Sequence, residues 1–140
     1  MKLLVTGDRN WVDNIVMHTV LLQIYHNNTD DAIYLVHGNC RGADVMALKI
    51  LSEIAIQYPK CKIVDCKMSA NWNRYGKAAG PIRNSEMLLY HSDIDLYLAF
   101  HNNIEKSVGT KDMINKIIKS NKTCWLIHNN SIDNITKLIK

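Results

Sequence analysis

Short, unbroken apolar runs alternate along this chain with longer stretches whose apolar residues recur at helical spacing. Leu3-Leu4-Val5-Thr6 reads as a buried strand stopped by Gly7. From Trp11 to Tyr25 the apolar positions Ile15, Val16, Val20, Leu21 and Ile24 fall on one helical face, before the polar turn His26-Asn27-Asn28. Ile33-Tyr34-Leu35-Val36 predicts a second strand, ended by His37-Gly38, and a helix follows over 43–57 with Val45, Leu48, Leu51, Ile54 and Ala55 inward. Lys62-Ile63-Val64-Asp65 predicts a third strand. The segment 67–80 has no regular period and reads as one long loop, the kind that in compact domains usually carries function. Pro81 suits the first turn of a helix running to Tyr90. Leu96–Phe100 predicts a fourth strand, Gly109-Thr110 opens a helix to Lys119, Thr123–Ile127 predicts a fifth strand, and Ile132–Ile139 predicts a closing helix.

Continuous apolar strands separated by helices imply a parallel sheet covered on both faces. With right-handed crossovers this is an α/β, doubly wound, Rossmann-like single domain spanning 1–140, of about five parallel strands. A chain of 140 residues fits one such core without a disulfide or metal staple. Cys40, Cys61, Cys66 and Cys124 are scattered, with no C-x-x-C pair and no zinc spacing, so no metal or cofactor is expected; Cys61, Cys66 and Cys124, in or beside strand-like runs, are expected to be reduced core thiols. No apolar run approaches the roughly 20 residues of a membrane helix. The opening Met1–Asp8 turns polar too soon for a signal peptide, so a cytoplasmic location is expected. The net charge of +4 is spread along the chain, with no basic stripe of the kind nucleic acids favour; mild attraction to phosphate accounts for it equally.

In doubly wound sheets ligands bind beyond the carboxyl ends of the strands, near the point where the strand order reverses. Three turns of this chain fall there. Thr6-Gly7-Asp8-Arg9 leaves the first strand, and Gly7 either lets backbone N–H groups approach an anion or serves packing alone. His37-Gly38-Asn39-Cys40-Arg41-Gly42-Ala43-Asp44 follows the second strand. Asp44 there is a helix cap or a ligand contact, His37 a structural histidine or a site residue, and Arg41 between glycines offers five donors to a carboxylate or phosphate. Val108-Gly109-Thr110-Lys111-Asp112 follows the fourth strand, where Gly109 and Thr110 offer donors to a phosphate, Lys111 adds charge, and Asp112 caps the helix or accepts from a ribose hydroxyl. Neither G-x-G-x-x-G nor G-x-x-x-x-G-K-[ST] occurs, which argues against hydride transfer and P-loop hydrolysis. In the long loop Trp72 and Tyr75 either stack on a base or pin the loop, while Arg74 and Arg83 can pair with phosphates.

Together Val5-Thr6-Gly7-Asp8-Arg9-Asn10-Trp11, the 37–44 turn, Asn71-Trp72-Asn73-Arg74-Tyr75-Gly76-Lys77-Ala78-Ala79-Gly80-Pro81-Ile82-Arg83-Asn84, Leu98-Ala99-Phe100-His101 and Gly109-Thr110-Lys111-Asp112 resemble the YspA-like branch of the SLOG superfamily, over Leu3 to about Lys119. The resemblance implies a Rossmann-like domain that binds a nucleotide or nucleotide-derived ligand, an ADP-ribose-like molecule or a nucleoside monophosphate. It implies ligand contacts at Gly7, Asp8, Arg9, Trp11, Gly38, Arg41, Gly42, Asp44, Trp72, Arg74, Asn84, Gly109, Thr110 and Lys111. A wider kinship is to the LOG phosphoribohydrolases, which release a base from a nucleoside 5′-monophosphate and form dimers, so a homodimer is compatible with the resemblance. Arg83 looks like their catalytic arginine and Gly109-Thr110 like the end of their Gly-Gly-x-Gly-Thr turn.

Three positions depart from that pattern. Glu105-Lys106-Ser107-Val108 stands where Pro-Gly-Gly is expected, Met113 stands where the catalytic glutamate is expected, and Asn84 replaces a lysine. The nearest carboxylate, Asp112, comes one residue early, which on a helix turns a side chain by about 100°. Two readings follow: an N-glycosidic hydrolase with Asp112 and Arg83 as its catalytic pair, or a sensor or sequestering protein that binds without turnover. A third, single-stranded nucleic-acid binding through Trp72, Tyr75 and Arg74, lacks the basic stripe.

Overall fold

The computed structural model describes residues 1–129 and 131–134. Its strands are β1 (Lys2–Gly7), β2 (Ala32–His37), β3 (Lys62–Lys67), β4 (Leu96–Phe100), β5 (Cys124–His128) and β6 (Ser131–Asn134). Its helices are α1 (Asn14–Asn27), α2 (Ala43–Gln57), α3 (Trp72–Tyr75), α4 (Ala79–Tyr90) and α5 (Gly109–Lys119), with short 3-10 turns at Gly76–Ala78 and Ile104–Lys106.

The strands form one sheet in the order β3-β2-β1-β4-β5-β6. The first five run parallel and β6 pairs antiparallel with β5, Ile127 opposite Ile132. The fold is therefore α/β and Rossmann-like, and its strand order reverses between β1 and β4. Side chains along β1 alternate between two cores, as the period-two geometry of a strand requires. Leu3 and Val5 point into the layer built with Met17, Leu21, Leu51 and Ile54 of α1 and α2. Leu4 points into the opposite layer with Met87 of α4 and Met113, Ile114 and Ile117 of α5. Cys124 is buried in this second layer, and burial pushes its thiol up to about 12.

Three boundaries differ from the sequence expectation. The predicted closing helix over 132–139 is a strand at Ser131–Asn134, and its remaining positions lie outside the described residues. Pairing on the open edge of β5 satisfies those backbone groups where apolar spacing suggested a helix. The first helix begins at Asn14 because the Asp13 side chain accepts from the Val16 N–H at 3.1 Å, while Trp11 turns inward against Phe100. The long loop is partly helical. Asn71 caps α3 by accepting from the Arg74 N–H, Gly76 (φ 55°) ends it, and Pro81 is the third residue of α4, where its missing N–H costs nothing.

Candidate functional site

A cleft of about 430 Å³ opens at the carboxyl ends of β1 and β4, where the strand order reverses. Gly7 makes its floor possible. A Cβ there would lie 2.5 Å from both the Ala43 Cβ and the Phe100 carbonyl oxygen, so only glycine lets β1, β4 and the start of α2 close on one another. The Asp8 N–H donates to the Phe100 carbonyl at 2.9 Å, and the Asp8 carbonyl accepts from the N–H groups of Trp11 and Ala43. One carbonyl thus both closes the turn and occupies the first amide of α2. Gly42 (φ 80°) permits this approach, because a side chain there would strike the backbone of Asp8 and Arg9.

The turn after β2 is held by Asp44. Its Oδ2 accepts from the Gly38 N–H at 2.9 Å and the Cys40 N–H at 3.4 Å, and burial pushes its carboxyl above the ordinary carboxylate range. His37 is wholly buried; its Nδ1 accepts from the Asn39 N–H and its Nε2 bonds Asp65 Oδ1 at 2.7 Å, which makes it a structural histidine.

Arg83 is buried between this turn and α4. Nη1 donates to the carbonyls of Gly38 at 2.6 Å and Met68 at 3.2 Å, and Nε donates to Asn84 Oδ1 at 3.0 Å. The Asn84 amide then donates to Asp112 Oδ2 at 3.1 Å, which also accepts from Lys116 Nζ at 2.8 Å. Asp112 therefore sits behind the cleft, tied to α4 and to its own helix, and is not among the residues that line it.

Cations face the cleft from several elements: Arg9, Arg41, Lys77, Arg83 and Lys106. Among the described residues, none of the four arginines forms a salt bridge with a carboxylate. Arg9 lies over the Trp72 ring at 5.3 Å, and Arg41 reaches only Asn10 Oδ1, at 3.4 Å. A second chamber of about 350 Å³ adjoins the first and shares Arg9, Cys40, Arg41, Trp72 and Arg83 with it. Arg9 and Arg41 are exposed and lack acidic partners, which leaves their donors for an anion, whereas the buried Arg83 already donates to Gly38, Met68, Asn84 and Cys40.

Of the residues singled out from sequence, Gly7, Asp8, Arg9, Arg41, Asp44, Trp72, Arg83, Asn84, Gly109 and Thr110 line the cleft. Gly38 lies in the second chamber, and any Cβ on it would collide with the Arg83 guanidinium. Trp11 is a core residue, its indole N–H donating to the Asp13 carbonyl. Gly42 serves the backbone turn, and Arg74 stacks on Tyr75 away from the cleft. Lys111 points to Glu105 at 3.6 Å. The start of α5 is partly occupied already, because Ser107 Oγ accepts from the N–H groups of both Thr110 and Lys111.

Lys77, Lys106 and Ser107 line the cleft unannounced by sequence reasoning, and so does His101. His101 directly follows β4 and His37 is the last residue of β2, and the His101 Nδ1 likewise accepts from the N–H two residues on, that of Asn103. That repeated placement was the available signal. Burial holds the His101 imidazole below its ordinary value, against an opposing pull from Asp8, whose Oδ2 lies 4.0 Å from Nε2. Among the described residues no group of three His, Cys, Asp or Glu side chains is placed to hold a metal ion, and no helix is long and apolar enough to cross a membrane.

No family model matches the chain, and no solved structure matches it. The chain is similar to the Gene 61 protein of Mycobacterium phage D29, at 29% identity over 119 residues, covering 85% of this chain and 90% of that protein.

Proposed function

We propose that this chain binds a phosphorylated nucleotide or nucleotide-derived ligand, of nucleoside monophosphate or ADP-ribose-like type, in the cleft between the ends of β1 and β4. The observation that carries the reading is that Arg9 and Arg41, exposed on the wall of the cleft, have no carboxylate partner and leave most of their donors unused, beside the buried Arg83. A ligand anion would complete their hydrogen bonding. Trp72, held at the rim beneath Arg9, offers a partly exposed aromatic face for a base. This is also the ligand class that the likeness to YspA-like SLOG domains implies.

Binding without turnover is the favoured form of the proposal. A hydrolase of LOG type needs a carboxylate over the ribose, and Asp112 is engaged by Asn84 and Lys116 instead. Nucleic-acid binding is the weaker alternative, because the cations gather around one cleft and not in a stripe along the surface.

The test is a thermal-shift panel of nucleoside monophosphates, ADP-ribose, NAD and cyclic nucleotides, each hit then incubated and analysed for free base. A ligand that binds the folded state raises the melting temperature by mass action. The expected result is stabilisation by at least one of them with the ligand recovered intact. Base release would favour the hydrolase, and no shift with any compound would overturn the reading.

A further inference from the structure

The charged residues lining the cleft are mostly donors, and only two carboxylates accompany them, Asp8 and Asp44. Asp44 already accepts from two backbone amides of its own turn. Asp8 differs: its Oδ1 accepts from the Asn10 N–H at 2.9 Å, whereas its Oδ2 has no hydrogen-bond donor within reach among the described residues. The group nearest to that oxygen in charge terms is His101 Nε2, 4.0 Å away. Because Nδ1 accepts from the Asn103 N–H at 3.0 Å, the neutral imidazole carries its proton on Nε2.

A free acceptor and a free donor therefore face one another across the point where the strand order reverses, one from the end of β1 and one from the end of β4. Their separation is too wide for a direct hydrogen bond and suits a single bridging oxygen at about 2.8 Å from each. A hydroxyl meets both demands, donating to the carboxylate and accepting from the imidazole. Neither a phosphate, which only accepts when fully ionised, nor an apolar group does so.

We infer that Asp8 and His101 jointly read one sugar hydroxyl of the bound ligand, making the cleft selective for a hydroxyl-bearing sugar phosphate over its deoxy counterpart. The inference rests on the nucleotide-binding reading and adds the feature that sets its specificity. Cations hold the phosphate, and this pair inspects the sugar. Burial keeps the imidazole neutral near pH 7, so its Nδ1 stays an acceptor and its Nε2 a donor.

The test measures binding of AMP and of its 2′-deoxy, 3′-deoxy and 2′,3′-dideoxy forms to the wild type, Asp8→Asn and His101→Asn by calorimetry, with inorganic phosphate as competitor. Asp8→Asn keeps an oxygen for the Asn10 N–H but puts a donating nitrogen where Oδ2 accepts. His101→Asn can keep the partner of the Asn103 N–H while removing the Nε2 arm, and thermal melting checks that both variants fold. The wild type is expected to lose about tenfold or more in affinity when the recognised hydroxyl is removed. Each variant should shrink that ratio to about threefold or less, with phosphate competition unchanged. Equal binding of AMP and all its deoxy forms by the wild type would overturn the inference and leave nucleotide binding standing. Discrimination that survives in both variants would overturn it as well, by assigning the hydroxyl to other groups. If the wild type takes up none of the four nucleotides, the inference falls, and the reading beneath it falls as well only if no other compound of the thermal-shift panel binds.

Discussion

Arg41 and Arg83 are both cleft arginines, yet their surroundings assign them different work. Arg41 is exposed and makes one long contact, to Asn10, so nothing in the fold depends on its guanidinium. Arg41→Ala should leave the melting temperature within about 1 °C of wild type. It should weaken the best-binding nucleotide of the panel about tenfold, as loss of one charge-assisted contact would. Parallel melting and calorimetric titration check both. Asp44 is the opposite case, a carboxylate wholly committed to its own turn. Asp44→Ala should cost about 1–3 kcal/mol by leaving the Gly38 and Cys40 amides without an acceptor, while Asp44→Asn, which keeps an accepting oxygen, should stay close to wild type. The sign of the pH effect follows from the raised carboxyl. The folded group holds its proton above the ordinary 3.8, so its contribution is fully present below that pH and is lost as pH rises through the folded value. Urea unfolding should therefore show Asp44→Asn gaining on wild type as the pH rises above the ordinary 3.8. Arg41 was legible in the sequence because an arginine between two glycines has no packing purpose. His101 was not, since a histidine after a strand looks alike whether it faces the core, as His37 does, or a cleft. Trp11, Arg74 and Lys111 lie outside the lining of the cleft for a related reason. Their positions in the motifs are right, but the direction of a side chain leaving a turn depends on φ and ψ, which spacing does not reveal.

At the scale of elements, the cleft depends on how closely two turns approach the end of β4. Gly7→Ala would set a methyl group 2.5 Å from Ala43 Cβ and from the Phe100 carbonyl. Both contacts are on packed strands and helices that cannot swing aside, so β1 and α2 must separate. Overpacking of this kind should cost about 1–3 kcal/mol and reduce nucleotide affinity in the same variant, read by urea unfolding and by titration. Gly109→Ala is the control: a Cβ there meets nothing within 4 Å, and stability should hold. The parallel strands and the helices of ten or more residues were legible from apolar runs and spacing. The four-residue helix at Trp72–Tyr75 was not, because a single turn cannot display a 3.6-residue period. Its cap, Asn71, was the one local sign of it. The strand at Ser131–Asn134 was misread as helix because short apolar segments carry no decisive period, and only the open edge of β5 assigns it.

For the whole molecule, the strand order matters more than any one motif. Three glycine-bearing turns separated by tens of residues converge because β1 lies between β2 and β4 in a parallel sheet, all three ending at the same rim. That convergence was legible from the alternation of strands and helices. The division of labour within it was not: Asp112 behind the cleft, His101 at its floor, and Lys77 and Lys106 at its rim are outcomes of packing between α4, α5 and the connecting turns. The central claim is that this rim binds a nucleotide phosphate, and it is tested most directly by titrating isotopically labelled protein with the nucleotide that stabilises it best, following backbone amides by NMR. The account predicts saturable shifts concentrated at Gly7–Asn10, Cys40–Arg41 and Lys106–Thr110, the amides that border the cleft. Shifts confined to other surfaces, or a titration that never saturates, would contradict it.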